Sequence, residues 1–138
     1  MIKFILLVLI FPLFFSCSKN EGCNVHSAIN YDPKVDFDDD SCIYSKLIFF
    51  ADSTQINGVS IDRIEIEINN VNVGSFSGMY LYGPGDCNAD NTVVFASTGE
   101  DKVIWSSTIY FVGGGTAFSS GEAFPSPLDE CIEIHASI

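Results

Sequence analysis

The sequence predicts an all-β protein, a single antiparallel β-sandwich of about seven strands that follows a short, disulfide-closed acidic loop module. Residues 61–69, IDRIEIEIN, alternate apolar and polar side chains, which is the period of a half-buried strand. Clusters of Gly, Asn and Asp separate this and similar apolar runs, and no stretch shows a helical period. Five aspartates lie between Cys23 and Cys42, outside any such run.

Seven segments have the composition of β-strands. In chain order they are residues 46–52, 61–69, 71–76, 78–82, 92–97, 102–112 and 131–137. In the second segment, isoleucines alternate with Arg63, Glu65 and Glu67, so one face is apolar and the other charged. Short strands at close spacing, joined by tight turns, favour an immunoglobulin-like or prealbumin-like sandwich formed by residues 45–138.

One connection breaks the regular spacing of strands and turns. Residues 113–130 are punctuated by glycines and two prolines and lack a strand pattern, so we expect a long loop. Long loops in compact domains are usually functional or disordered. We expect Phe118 and Phe124 to fold back onto the sheet, and exposed contacts are the alternative.

The N-terminus has the pattern of a secretory signal peptide. Lys3 precedes an apolar run over residues 4–15, and the small residue Ser16 precedes Cys17. A helix of that length reaches only about 18 Å, whereas spanning a bilayer takes about 20 apolar residues. We therefore expect residues 1–16 to be removed as a signal peptide and not to serve as a transmembrane anchor.

The cysteine at the expected cleavage point resembles that of bacterial lipoprotein signals, although Phe14 stands where that family prefers Leu. The resemblance implies that Cys17 carries lipid and that residues 17–21 form a tether. The protein would then be exported, with its acyl chains holding it on the membrane at the outer membrane or cell surface. Simple cleavage that leaves Cys17 as a free thiol is the alternative.

The charge of the chain excludes one class of partner. The formal net charge is −12 at pH 7, with 6 basic and 18 acidic residues. Such a surface repels phosphate backbones, so we expect no nucleic-acid binding. Anionic lipid headgroups are equally poor partners for the protein surface.

The cysteine count fits export. Five cysteines would leave one unpaired, but lipidation of Cys17 would leave four that can pair in three ways. Their order along the chain favours Cys23 with Cys42 and Cys87 with Cys131. In the chain-entropy description, loops of these sizes contribute about 3 and 4 kcal/mol to stability.

Residues 22–44, GCNVHSAINYDPKVDFDDDSCIY, resemble a short cysteine-bounded module of secreted and surface proteins of Bacteroidota, with a pattern close to CxxxxAxNYxPxAxxDDGSC. The matching residues are Cys23, Ala28, Asn30, Tyr31, Pro33, Asp38, Asp39, Ser41 and Cys42. Val35 replaces Ala and Asp40 replaces Gly. The rest of the chain more loosely resembles small β domains of uncharacterised surface lipoproteins of that phylum. This resemblance implies the fold and the second disulfide but no activity.

The aspartates of this module make calcium the one candidate cofactor, because Ca²⁺ takes six to eight oxygen ligands. The spacing is not that of an EF-hand, since Ser41 and Leu47 stand where Gly and Glu are needed. The alternative is a solvated loop whose aspartates form Asx turns. The candidate ligands are Asn30, Asp32, Asp36, Asp38 and Asp40.

Tyr80, Tyr82 and Trp105 are candidate ligand-surface residues, because exposed aromatic side chains stack on sugars and contact proteins. The segment 74–78 is no nucleophile elbow, since its centre is Phe76. The sequence therefore favours a non-enzymatic exported protein with a binding, adhesion or accessory role toward a protein or glycan partner. Two alternatives remain, a calcium-dependent carbohydrate-binding module and a hydrolase whose carboxylates meet only on folding.

Overall fold

The structure, a computed structural model, describes residues 19–137, so the expected signal peptide and the lipidation site Cys17 lie outside the described residues. Within this range the chain is all-β, and no helix is long and apolar enough to span a membrane. Three of the ten strands have only two residues, which leaves seven longer ones. The strands are β1 (Glu21–Gly22), β2 (Phe37–Asp38), β3 (Lys46–Phe50), β4 (Gln55–Ile56), β5 (Val59–Ile68), β6 (Val71–Phe76), β7 (Val93–Ala96), β8 (Val103–Phe111), β9 (Thr116–Ala123) and β10 (Cys131–His135).

Two sheets form the sandwich. In the larger sheet β5 pairs with β8 on one side and with β4 and β6 on the other, β9 follows β8, and all these pairings are antiparallel. The smaller sheet has the order β10-β3-β7. Its β3 and β7 are antiparallel, but β10 runs parallel to β3, so the sandwich is not antiparallel throughout. The segment before β10 returns the chain to the start of β3, where the Lys46 N–H donates to the Glu130 carbonyl at 2.9 Å.

Tight turns set the register of the larger sheet. Asn57 and Gly58 join β4 to β5 with φ of 51° and 79°, and Asn69 and Asn70 join β5 to β6 with φ of 50° and 64°. Two consecutive left-handed residues are the requirement of a type I′ hairpin turn, and Asn and Gly adopt that conformation most readily.

The core lies between the two sheets. The isoleucines of β5 face inward, as their alternation predicts, and Phe49 meets Trp105 edge-on at 5.7 Å between ring centroids. One buried polar contact joins the sheets, since the Ser107 hydroxyl donates to the Ala136 carbonyl at 2.7 Å. The buried core consists of Leu47, Phe49, Ala51, Ile64, Ile66, Ile68, Phe76, Val93, Val103, Trp105, Ile109, Ala123, Ile134 and Ala136.

Three expectations from the sequence were wrong. Residues 116–123 are strand β9 and not part of a long loop. Only Ala and Ser side chains and Gly121 pair with the inward residues of β8, so β9 lacks the large apolar period that marks a strand in sequence. Phe118 and Phe124 are exposed by 70% and 62% and do not fold back onto the sheet.

Residues 78–82 form no strand, because turns at Gly83 and Gly85 bend the chain there.

Candidate functional site

The acidic module is closed by covalent and polar contacts. A disulfide joins Cys23 to Cys42, and β1 and β2 pair in parallel beside it. The side-chain amide of Asn30 bridges the loop, since its Oδ1 accepts from the Ile43 N–H at 2.7 Å and its Nδ2 donates to the Ser41 carbonyl at 2.8 Å. Asn30 is therefore a structural residue that holds the two ends of the module together.

The aspartates of the module turn back onto their own backbone. Asp32 Oδ1 accepts from the Lys34 N–H at 2.9 Å, and Asp38 Oδ1 accepts from the Asp40 N–H at 2.9 Å. These are Asx turns, each between a side chain and a backbone N–H two residues on. Asp40 itself has φ of 62°, in the left-handed region that glycine adopts readily and Asp adopts more readily than most other residues. Asp40 thus occupies a turn position that glycine would also fit.

Asp39 makes the same kind of turn. Its Oδ1 accepts from the Ser41 N–H at 3.0 Å, and hydrogen bonding from Ser41 lowers the pKa of the Asp39 carboxyl below its ordinary value. Hydrogen bonds to a carboxylate favour its charged form. The loop therefore stabilises the negative charge of Asp39 through hydrogen bonds from Ser41.

The predicted calcium ligands do not converge in the described structure. Among residues 19–137, no group of three His, Cys, Asp or Glu side chains is arranged to hold a metal ion. Calcium requires six to eight oxygens around one point, whereas the carboxylates of Asp32, Asp38 and Asp39 each serve a separate turn. The geometry therefore fits the solvated-loop alternative better than a carboxylate cage.

The candidate aromatic residues also fail to share a surface. Trp105 is only 7% exposed and belongs to the core, so its assignment to a ligand surface was wrong. Trp105 lies on the inner face of β8, where its ring contacts Phe49 of the opposite sheet. Tyr80 is half-buried, and its hydroxyl donates to the Asp90 carbonyl. Tyr82 alone of the three is fully open to solvent, at 95% exposure.

Tyr82 lies in a cluster that we name the apolar tip, defined as Met79, Leu81 and Tyr82. All three side chains are exposed, within four consecutive residues of the loop between β6 and β7. Clusters of exposed large apolar side chains on soluble proteins mark interaction sites. The signal for this site in the sequence is the close spacing of Tyr80 and Tyr82, within the segment 78–82 that the sequence predicts as a strand.

The loop that carries the apolar tip is held at several points. The Tyr80 N–H donates to the Ala51 carbonyl at 2.8 Å, and the Gly85 N–H donates to Glu133 Oε1 at 3.0 Å. The disulfide from Cys87 to Cys131 fixes the second half of the loop to β10. Gly83 has φ of 82° and packs against Glu133, which leaves no room for a side chain there. The apolar tip is therefore presented by a constrained loop.

The outer face of the larger sheet carries a polar cluster. Arg63 Nε donates to Glu65 Oε1 at 2.9 Å, and the guanidinium lies 3.9 Å from the centroid of the Tyr110 ring. The Tyr110 hydroxyl donates to Glu65 Oε2 at 3.1 Å. Hydrogen bonding to Glu65, followed by that to Asp62, raises the pKa of Arg63. Glu65 and Asp62 therefore fix the position of the Arg63 guanidinium on the outer face of the sheet.

A cleft of about 450 Å³ lies where the acidic module meets the sandwich. His26, on the module side, stacks on Tyr31 with ring centroids 4.2 Å apart, and its Nε2 is 2.9 Å from the Tyr31 hydroxyl. On the sandwich side, hydrogen bonds from Thr98 lower the pKa of Glu100. The cleft is lined by Val25, His26, Ser27, Glu100, Asp101, Pro125 and Pro127.

One group of side chains has the composition of a hydrolytic triad without its geometry. His135 Nε2 lies 2.9 Å from Asp52 Oδ1 and 3.0 Å from the Ser137 hydroxyl. A Ser-His-Asp relay needs the carboxylate on one ring nitrogen and the serine on the other. Here both partners contact the same nitrogen, so His135 cannot pass a proton from serine while the carboxylate orients it.

No family model, no curated protein and no solved structure matches this chain.

Proposed function

We propose that this protein is a non-enzymatic, exported lipoprotein that binds a protein partner through the apolar tip. Cys17 would carry the lipid, and the residues between Cys17 and β1 would form the tether, which is shorter than the predicted 17–21 because Glu21 pairs with Phe37. The acidic module would separate the tether from the sandwich. Two disulfides are typical of proteins in oxidising compartments, which supports export.

The observation that carries the proposal is the exposure of apolar side chains on a constrained loop. Leu81 is 61% exposed and lies beside the almost fully exposed Tyr82. Contact residues that contribute most to protein binding are large, often aromatic, and enter a pocket on the partner. A loop fixed before binding loses less conformational entropy when the complex forms.

The chemistry of the apolar tip favours a protein partner over a glycan. Sugar-binding surfaces offer flat aromatic rings, whereas two of the three side chains here are aliphatic, Met79 and Leu81. Aliphatic side chains are best buried in an apolar pocket. The net charge of −12 opposes contact with anionic lipid headgroups.

The test compares two variants of the full chain in capture from cell-surface extracts. Leu81→Ser with Tyr82→Ser removes the two outermost side chains of the apolar tip. The control, Leu128→Ser, removes an equally exposed apolar side chain, since Leu128 is 91% exposed outside the tip. We expect the tip variant to lose at least tenfold of the captured partner and the control to keep it.

Equal capture by both variants and the wild-type chain would refute the apolar tip as the binding site. Intact mass tests anchoring separately, because a mature chain that starts at Cys17 without acyl mass would refute lipidation. A glycan array with the same two variants distinguishes the carbohydrate alternative, which predicts glycan signals that fall only in the tip variant.

A further inference from the structure

Strand β9 forms a long edge of the larger sheet that no other described strand covers. It has eight residues and pairs with β8 alone. The unpaired N–H and C=O groups of an edge strand can accept another strand. Edge strands that must stay single are usually short, charged, bulged or interrupted by proline.

The hydrogen-bond pattern of the β8–β9 hairpin identifies the outward groups. The Phe111 N–H donates to the Gly115 carbonyl at 3.2 Å. Because antiparallel pairs alternate between bonded and non-bonded, residues 117, 119, 121 and 123 bond to β8. The free N–H and C=O groups therefore belong to Thr116, Phe118, Ser120 and Glu122.

The β9 edge lacks the features that discourage pairing. Its sequence, TAFSSGEA, has no lysine or proline, and its pairing with β8 is regular from end to end. The other edge strands are shorter, irregular or partly covered. A register shift interrupts the β5–β6 pairing, β7 has four residues, and Glu133 on β10 bonds to the loop at Gly85. Among the described strands, β9 is thus the open edge.

Charge does not prevent a second copy from pairing at the β9 edge. The chain has a net charge of −12, so most of its surface repels a second copy. Within β9 the only charged side chain is Glu122, and Lys102 neutralises it at 2.9 Å. Two copies can approach along this edge without like-charge repulsion between their strands.

We infer that β9 pairs antiparallel with β9 of a second copy of this chain, joining the larger sheets of the two copies into one. A two-fold axis lets the same four residues supply donors and acceptors on both sides. The inward side chains of β9 are small, so a neighbouring strand meets no bulky group there. On the outer face, the new strand covers Phe118, which is 70% exposed in the single chain.

The test uses single cysteines in the full chain and a bis-maleimide short enough to join neighbouring strands. Ser120→Cys places a thiol on the outer face of the β9 edge. Ser106→Cys is the matched control, because Ser106 lies directly opposite Ser120 on β8, one strand further from the edge. Adjacent strands are about 4.8 Å apart, so two copies of residue 106 would be separated by three such spacings.

We expect Ser120→Cys to give a cross-linked product of twice the chain mass at several-fold higher yield than Ser106→Cys or the chain without an added cysteine. Equal yields from both positions, or no product from either, would overturn the inference. A product of any other mass would show that a different protein pairs with β9, which also overturns it. Emission from Trp105, the only tryptophan of the chain, reports whether each variant is folded.

A second variant tests the backbone pairing itself. Ser120→Pro removes an N–H that points away from β8, and proline is tolerated on edge strands in that orientation. We expect the sedimentation coefficient of the full chain in detergent to fall from that of the dimer to that of the monomer, with Trp105 emission unchanged. A folded Ser120→Pro chain that remains dimeric would exclude β9 pairing. The apolar tip lies on another loop, so loss of its partner leaves this result unaffected.

Discussion

At the scale of single residues, Trp105 depends on the absence of a side chain at Gly121. The two residues are directly opposite on β8 and β9. A Cβ at position 121 would lie 2.9 Å from Trp105 Cζ2 and 3.0 Å from its Nε1, closer than real side chains approach. The glycine therefore makes room for the indole between the sheets.

Replacing that glycine is expected to displace the indole. Gly121→Ala should cost about 1–3 kcal/mol of unfolding free energy, because overpacked sites force their neighbours to move. Trp105 emission should shift at the same time, and it reports on this site alone because the chain has one tryptophan. Chemical denaturation with fluorescence detection measures both. Ser120→Ala is the control, and a Gly121→Ala chain with unchanged stability and emission would contradict the expectation.

Glu100 gives a pH-dependent prediction at the same scale. Its carboxylate accepts from the Thr98 hydroxyl at 2.7 Å and from the Thr98 N–H at 2.8 Å, which lowers its pKa. A lowered folded-state pKa contributes stability above the unfolded value of about 4.3, and that contribution is lost as pH falls through the folded pKa.

Thr98→Val should therefore destabilise the protein at pH 7 and have less effect at pH 3. The loss at pH 7 should be small, because solvent still reaches the half-buried carboxylate and screens its charge. Thr92→Val is the matched control, since the Thr92 hydroxyl donates to the Ala89 carbonyl at 2.7 Å and not to a carboxylate. Melting temperatures of both variants across this pH range measure the difference. A Thr98→Val effect independent of pH would rule out the linkage.

At the scale of elements, the acidic module is a closed loop whose polar side chains bond to its own backbone. Asn30 bridges the two ends, and Asp32, Asp38 and Asp39 cap successive turns. Several residues of the acidic module therefore have a structural role. Ala28, for example, is almost fully buried, and its N–H donates to the Val25 carbonyl at 3.0 Å.

Calcium should leave the melting temperature unchanged. A site specific to the folded state would add about 2.7 kcal/mol of stability at a calcium concentration one hundred times the dissociation constant. The carboxylates of the acidic module do not converge, so no such gain is expected. Thermal melts in millimolar calcium and in chelator test this directly. A saturable rise in melting temperature that Asp38→Asn removes would establish a site despite the geometry.

Replacement by glycine should reduce stability less at Asp40 than at Asp36. Its φ of 62° is strained for most residues, whereas Asp36 does not have positive φ. Asp40→Gly should leave the unfolding free energy unchanged or slightly higher. Asp36→Gly, the control, should lower it by about 0.5–1 kcal/mol through backbone entropy. Equal losses in the two variants, measured by denaturation, would argue that the Asp40 side chain has a role beyond the turn.

At the scale of the whole molecule, the two disulfides serve different parts. The core cluster contains no residue of the acidic module, so the sandwich packs without it. The disulfide from Cys87 to Cys131, by contrast, joins the loop of the apolar tip to β10, which lies beside the central strand β3 of the smaller sheet. The two cross-links are separable in their effects.

Removing each disulfide should separate these roles. Cys23→Ser with Cys42→Ser should increase hydrogen exchange in residues 22–44 and leave Trp105 emission native. Cys87→Ser with Cys131→Ser should lower the stability of the sandwich by about 4 kcal/mol, since it opens the longer loop. Hydrogen exchange and denaturation measure both outcomes. Loss of native Trp105 emission in the first variant would show that the sandwich needs the module.

Local sequence patterns correctly predicted the elements whose signals are strong. The alternation of residues 61–69 identified β5 and its buried face, and the cysteine order matched both disulfides. The left-handed turns at Asn57 and Asn69 follow from residue type. In each case the feature depends on residue types that can be read directly from the sequence, without knowledge of the tertiary contacts.

Other features were decided by contacts between distant residues. β9 is a strand because β8 pairs with it, although its small inward residues carry little apolar signal of their own. Trp105 is buried because Phe49 lies across the core, and Tyr82 is exposed because hydrogen bonds at Tyr80 and Gly85 shape its loop. The sequence by itself determined the all-β class, the closed acidic module and the charge. Only the tertiary structure decided which aromatic side chains and which strand edge face solvent, because that depends on partners far apart in the chain.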